Sequence, residues 1–169
     1  MNPLEQIPLV RTTRRNHALE HATMKILASR FAGLKMFGHS NPSGFLLIAD
    51  LPTELVTDAA LEAQKRLQAG ESELAIHPGC GTNIASSSLL AGTAAFLVQM
   101  ALSRGKKPKW WHLLVSAVVA GPVYHLSKPL GPHLQKLVTT DANINGLSIN
   151  LITSQKTRNG FIHFISTRQ

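Results

Sequence analysis

"IASSSLLAGTAAFLVQMALS", residues 84–103, runs for 20 residues without a charge. That is the length an α-helix needs to cross about 30 Å of hydrocarbon. "RGKKPK" follows at 104–109, with four cations and a proline, and then a second uncharged run, "WWHLLVSAVVAGPVYHLS", at 110–127. Trp110, Trp111 and Tyr124 stand near the two ends of this run, where interfacial aromatic residues belong. The two runs read as a transmembrane helical hairpin over residues 83–128. Its close approach is expected at Ser88, Gly92 and Ala95 on the first helix and at Ala117, Ala120 and Gly121 on the second. Pro122 is expected to kink or end the second helix. Ser86, Ser87, Ser88, Thr93 and Gln99 make the first run only moderately apolar, so a hairpin buried in a soluble core is the competing reading.

On either side of the hairpin the pattern changes. A helix is predicted from about Thr13 to Phe31, stopping near Gly33. "GFLLIAD", residues 44–50, lies between turn-forming residues and reads as a strand. A second helix is predicted from Thr53 as N-cap to Gly70 as its stop, with Leu55, Ala59, Ala63 and Leu67 on one face. "ELAIH", residues 73–77, reads as another short strand. Beyond the hairpin, "GLSINLITS" and "GFIHFIST" alternate apolar with polar residues around "QKTRNG", a β-hairpin signal with Asn159-Gly160 at the turn. The fold class is therefore α+β: a small sheet of about four strands with two helices, interrupted by a two-helix transmembrane hairpin. Residues 1–82 supply the first part of this domain and 129–169 the β-hairpin that completes it, since an isolated two-stranded hairpin is marginal in water.

The net charge of +8 is unevenly spread. Residues 1–82 balance eight Lys/Arg against eight Asp/Glu, while residues 83–169 hold nine Lys/Arg and one acid, Asp141. No basic stripe is interleaved with aromatics, which make up 5% of the chain, so the pattern argues against nucleic acid as a partner. The bilayer is the expected partner, with other membrane subunits or a second copy as further ones. Cys80 is the only cysteine, which excludes an intramolecular disulfide. "MNPLEQIPLVRTTRR" lacks the apolar core of a secretory signal. The basic loop Arg104–Lys109 favours a cytoplasmic connection, whereas an 82-residue leading segment with no export signal favours cytoplasmic tails. We expect two spans in a bacterial inner membrane with both tails cytoplasmic.

"RRNHALEHATMKIL", residues 14–27, carries the chemistry. At 3.6 residues per turn, His17, Glu20 and His21 occupy i, i+3 and i+4 and share one face of a helix. Two imidazoles so placed can bind one metal with a carboxylate beside them, and the carboxylate can act as general base on a metal-bound water whose pKa falls to about 7. The alternative is a hydrogen-bonded polar stripe. "HPGCGT" places His77 and Cys80 in a Gly-rich turn, both donor types that zinc accepts. For the third ligand the His77/Cys80 turn ranks first, Asp141 second and Glu73 third, because imidazole and thiolate hold zinc better than one carboxylate. Read without a metal, His77 caps a turn and Cys80 is a small buried hydrophobe.

"NHALEHA", "GFLLIAD", "GESELAIHPGCGTN" before an apolar span and "LQKLVTTDANI" after the second span together resemble an uncharacterised family of bacterial membrane proteins, known only as a domain of unknown function. The resemblance extends from about Arg14 to Phe164 and implies no activity or ligand set. His17, Glu20 and His21 alone are similar to the inverted His-x-x-Glu-His motif of certain zinc peptidases. Those enzymes also use a distal glutamate, and here no acid lies between Glu73 and Asp141.

Three functions follow as expectations. The first is a membrane-anchored zinc-dependent hydrolase, peptidase-like, with His17 and His21 as ligands and Glu20 as base. The second is a noncatalytic accessory subunit of a membrane complex, with or without a structural metal. The third, ranked last, is a pigment- or haem-associated subunit with His112 or His125 as axial ligand.

Overall fold

Pro8 opens the first helix, α1 (Pro8–Arg30). Proline fits this first helical position because its φ is already helical and the missing N–H has no intrahelical partner there. The helix thus starts five residues before the expected Thr13. The structure, a computed structural model, describes residues 6–158 and 160–169. It divides into two units, one built from the chain up to His77 together with Lys136–Gln169, the other from Pro78–Gln135.

In the first unit α1 is followed by a hairpin of β1 (Met36–Asn41) and β2 (Gly44–Ala49). The Asn41 side-chain carbonyl accepts the Ser43 N–H at 2.8 Å and closes the connection. Gly44 is required here: its φ is +146°, and a Cβ would collide with the Ile165 carbonyl. Helix α2 (Thr53–Gln68) comes next. Pro52, not Thr53, occupies the N-cap, and the Thr53 hydroxyl donates to Ser154 Oγ at 2.7 Å instead. The apolar face of α2 is Val56, Ala59, Ala60, Ala63 and Leu67, with Leu55 only partly buried.

The strand expected over 73–77 does not form. Ser72–Ala75 is a 3₁₀ turn, held by local bonds from the Leu74 N–H to the Glu71 carbonyl and from the Ile76 N–H to the Glu73 carbonyl. The backbone is satisfied locally, and the sheet position it would have taken belongs to β1. The last two strands are β3 (Ser148–Thr157) and β4 (Gly160–Arg168). The expected turn at Asn159-Gly160 falls partly on Asn159, which lies outside the described residues.

The sheet is antiparallel with strand order β1-β2-β4-β3. The carboxy-terminal hairpin therefore inserts β4 directly beside β2, pairing Phe45 with Ile165 and Leu47 with His163. Both helices pack against the sheet, α1 on β1 and β2 and α2 on β3. Phe45, Leu47 and Ile165 join Leu19, Leu27, Val56, Ile144 and Leu147 in a fully enclosed core. Its size makes the loss of one large side chain cost about 3–5 kcal/mol. His163 is also fully buried, its ring stacked on Phe161 with centroids 5.9 Å apart. Burial pushes its pKa down, partly offset by the nearby Leu51 backbone.

The second unit contains α3 (Gly81–Ser103) and α4 (Trp110–Ser127), packed on each other, and the short α5 (Leu130–Leu134). Helix α3 ends where Arg104 and Gly105 adopt left-handed conformations. Of these helices α3 alone is long and apolar enough to cross a membrane, and α4 qualifies only when joined with the segment that follows it. Pro122 lies inside α4 without ending it.

The contact face of the pair is rotated from expectation. Ser87 and Ala91 of α3 and His112, Ser116 and Ser127 of α4 are buried, and Ser116 Oγ donates to Gln99 Oε1 at 3.2 Å. Ser88, Gly92, Ala117 and Gly121 are exposed instead. Hydrogen-bonding groups take the interface, and the glycines bring no backbone close.

Candidate metal centre

The spacing on α1 does what its period requires: the His17 and His21 rings lie side by side, with centroids 4.2 Å apart. His21 Nδ1 is 2.8 Å from the carbonyl of Ala75, and His17 Nδ1 is 2.9 Å from the carbonyl of Thr139. A carbonyl oxygen can only accept, so Nδ1 carries the proton in both rings and the lone pair sits on Nε2. This outer hydrogen bond is the one that orients metal-binding histidines and fixes their tautomer. His77, just after the 3₁₀ turn that supplies Ala75, places its ring centroid 5.6 Å from that of His21. Three imidazoles are thus grouped within the first unit.

Cys80 is buried and occupies the N-cap of α3. It lies three positions after His77, so the chain keeps their Cα atoms within about 11 Å whatever its conformation.

Glu20 is also buried, and its carboxylate accepts the Ser40 hydroxyl of β1. Gly38, on the same strand, lies against it and leaves no room for a Cβ. The carboxylate thus sits against the edge strand. Asp141 pairs with Arg15 at 3.1 Å and receives the Asn143 N–H at 3.0 Å, and Glu73 lies on the exposed side of the 3₁₀ turn.

Several contributors went unnoticed in the sequence. The carbonyls of Ala75 and Thr139 carry no side-chain signal. Gly38 and Ser40 lie in a strand whose composition hides it. Arg14 is buried and donates to the carbonyls of Thr140 at 2.8 Å and Leu137 at 3.3 Å, tying α1 to the same segment that orients His17. Asn16, also buried, donates to the Asn41 carbonyl at 2.8 Å and accepts from Thr167 at 2.7 Å. The signal that existed was the density of polar residues on a helix that had to be central. His112 Nδ1 accepts the Lys109 N–H at 3.5 Å, capping α4.

Two clefts lie along α1 within the first unit, both lined by Arg14. One, of about 240 Å³, is lined by Arg14, Glu73, Ala75, Lys136, Thr140 and Asp141 among others. The other, of about 380 Å³, is mostly apolar, walled by Leu9, Val10 and Val138, with His17 and Arg14 on its lining.

Residues 12–152 match the model of a family described as a domain of unknown function, DUF6391. An uncharacterized protein of Picosynechococcus sp. is 31% identical, the match covering 92% of this chain and 78% of that one. No solved structure matches.

Proposed function

The chain belongs to the DUF6391 family, and within it we propose a membrane-anchored metal-binding protein whose metal, zinc, is held by His17 and His21 with a third donor from the turn that begins at His77. The observation that carries this is the pair of Nδ1–H···O=C hydrogen bonds from adjacent turns of α1. A polar stripe on a helix needs neither two rings side by side nor an unprotonated nitrogen left on each, whereas a shared ion needs both. Imidazole donors suit zinc, which binds nitrogen at about 2.0–2.1 Å, and Cys80 is the sequence's fourth donor.

The anchor rests on the inverted distribution in α3 and α4. A hairpin in water buries its large apolar residues. Here Leu89, Phe96, Leu97, Leu113 and Val118 face outward while Ser87 and Ser116 are buried and Ser116 bonds Gln99. That is the arrangement expected of helices solvated by hydrocarbon.

Within this reading Glu20 has two roles to choose between. Its bond to Ser40 favours a structural carboxylate that fixes α1 on β1 and a closed, noncatalytic metal site. The His-x-x-Glu-His spacing favours the hydrolase reading, with Glu20 as base on a zinc-bound water. The test is elemental analysis of the full-length protein purified from membranes, beside His17→Ala, His21→Ala and the double variant. One zinc per chain, lost in the double variant while the helical circular dichroism persists, is the expected result. Equal metal content in all four proteins overturns it. Hydrolysis of peptide substrates that disappears in Glu20→Gln with zinc retained selects the catalytic reading, and unchanged behaviour selects the structural one.

A further inference from the structure

We propose that the 380 Å³ cleft beside His17 receives an acyl chain of an anionic membrane lipid, which makes such a lipid the ligand class of the metal centre. The inference rests on the metal and membrane readings above. The cleft is within the range of small-molecule sites, about 300–1,000 Å³. Its walls Leu9, Val10 and Val138 are aliphatic, and His17 brings the proposed metal site to its edge. Beyond the walls, Ile7, two positions before Leu9, and Leu137, next to Val138, are 52% and 62% exposed.

Two observations choose the occupant. The first is covalent. Val138 belongs to the stretch Leu130–Thr139 that, joined with α4, is long and apolar enough to cross a membrane. The apolar wall is therefore part of a segment continuous in the chain with the helices proposed to meet the bilayer. The second is charge. Among the residues that line the cleft, Arg14 is a cation and none is an acid. An aliphatic cleft with a cation and no acid on its lining complements a lipid with an anionic head.

The test uses the full chain in nanodiscs of phosphatidylcholine containing a trace of phosphatidylglycerol with a photoreactive diazirine on its acyl chain. After irradiation, mass spectrometry should find label on Leu9, Val10 or Val138 as well as on the membrane helices. Val138→Asp places a carboxylate in the wall at an exposed position and should reduce the label on residues 9 and 10 about tenfold, equivalent to about 1.4 kcal/mol. Labelling of α3 and zinc content should stay unchanged. Leu9→Asp, also at an exposed position, serves if Val138→Asp fails to fold, with the label then read on residues 10 and 138. Label confined to α3 and α4, or label in the cleft untouched by the variants, overturns the proposal. Equal cleft labelling by a photoreactive phosphatidylcholine overturns its anionic part. A protein without zinc that still labels in the cleft overturns the metal reading and leaves the lipid cleft standing.

Discussion

His21 gives its Nδ1 proton to the carbonyl of Ala75, 2.8 Å away and 54 positions down the chain. That bond joins the central helix to the 3₁₀ turn, and the turn in turn carries His77. Orientation of one histidine and placement of the next are therefore a single structural event, which makes the site sensitive to changes outside its donor atoms.

Zinc added to metal-free protein should raise the thermal midpoint, because an ion bound only by the folded chain stabilises it by about 2.7 kcal/mol at a hundredfold excess over Kd. In His21→Ala the shift should vanish. Calorimetry of wild type and variant with and without chelator measures it, and a zinc-dependent shift that survives in His21→Ala contradicts the site.

Gly38→Ala should displace the Glu20 carboxylate, since a Cβ at that position has no space. Overpacking of this kind costs about 1–3 kcal/mol. Pairing it with Glu20→Ala should recover much of the loss, because the removed carboxylate makes room for the methyl group. Additive losses in urea titrations of the two single variants and the double one refute the packing account.

His163 should make the fold acid-sensitive. Burial holds its folded-state pKa below the ordinary 6.5, so the unfolded chain takes up a proton that the folded chain resists. The stability is fully present above about pH 6.5 and falls below it, by up to about 1.4 kcal/mol per pH unit until the folded pKa is reached. His163→Leu should flatten that fall. Denaturant midpoints of metal-free protein between pH 7.5 and 5 provide the measurement, and parallel curves for the two proteins rule the explanation out.

Ser116→Ala removes the hydrogen bond to Gln99. On the membrane reading proposed above, a bond of this kind is worth about 0.6 kcal/mol on average, so α3 and α4 should stay paired with a small loss of stability in detergent. Complete separation of the helices in a cross-linking assay contradicts a minor role.

The helices were legible where one physical signal dominated. Residues 110–127 coincide with α4 because an uncharged run ends at Lys109 and Lys128, and His17 and His21 meet because helical geometry alone puts i and i+4 together. The strand β1 was not legible. "MFGHSN" offers two apolar residues and a glycine at a sheet edge, and its Gly38 is explained only by Glu20 of another element. "ELAIH" failed in the opposite way, since its alternation resembles a strand while its backbone bonds close within four residues. The contact face of α3 and α4 matches its small residues only in part: Ala95 and Ala120 are half-buried and Ser88, Gly92, Ala117 and Gly121 exposed, while Ser116 bonds Gln99, a pairing that residue size does not reveal. The carbonyls that orient the histidines are invisible in any sequence, because every residue has one.

The place of β4 between β2 and β3 has a consequence for biogenesis. Phe45 pairs with Ile165, 120 residues later, and at a synthesis rate of about 5–20 residues per second the second partner emerges roughly 6–24 seconds after the first. Through that interval β2 presents an unpaired edge, the kind of edge that invites wrong partners. Residues 78–135 are made entirely within it. The nascent chain must therefore deliver its most apolar helices while the domain that flanks them is still unfinished, and the closing of the sheet reports that their synthesis is over.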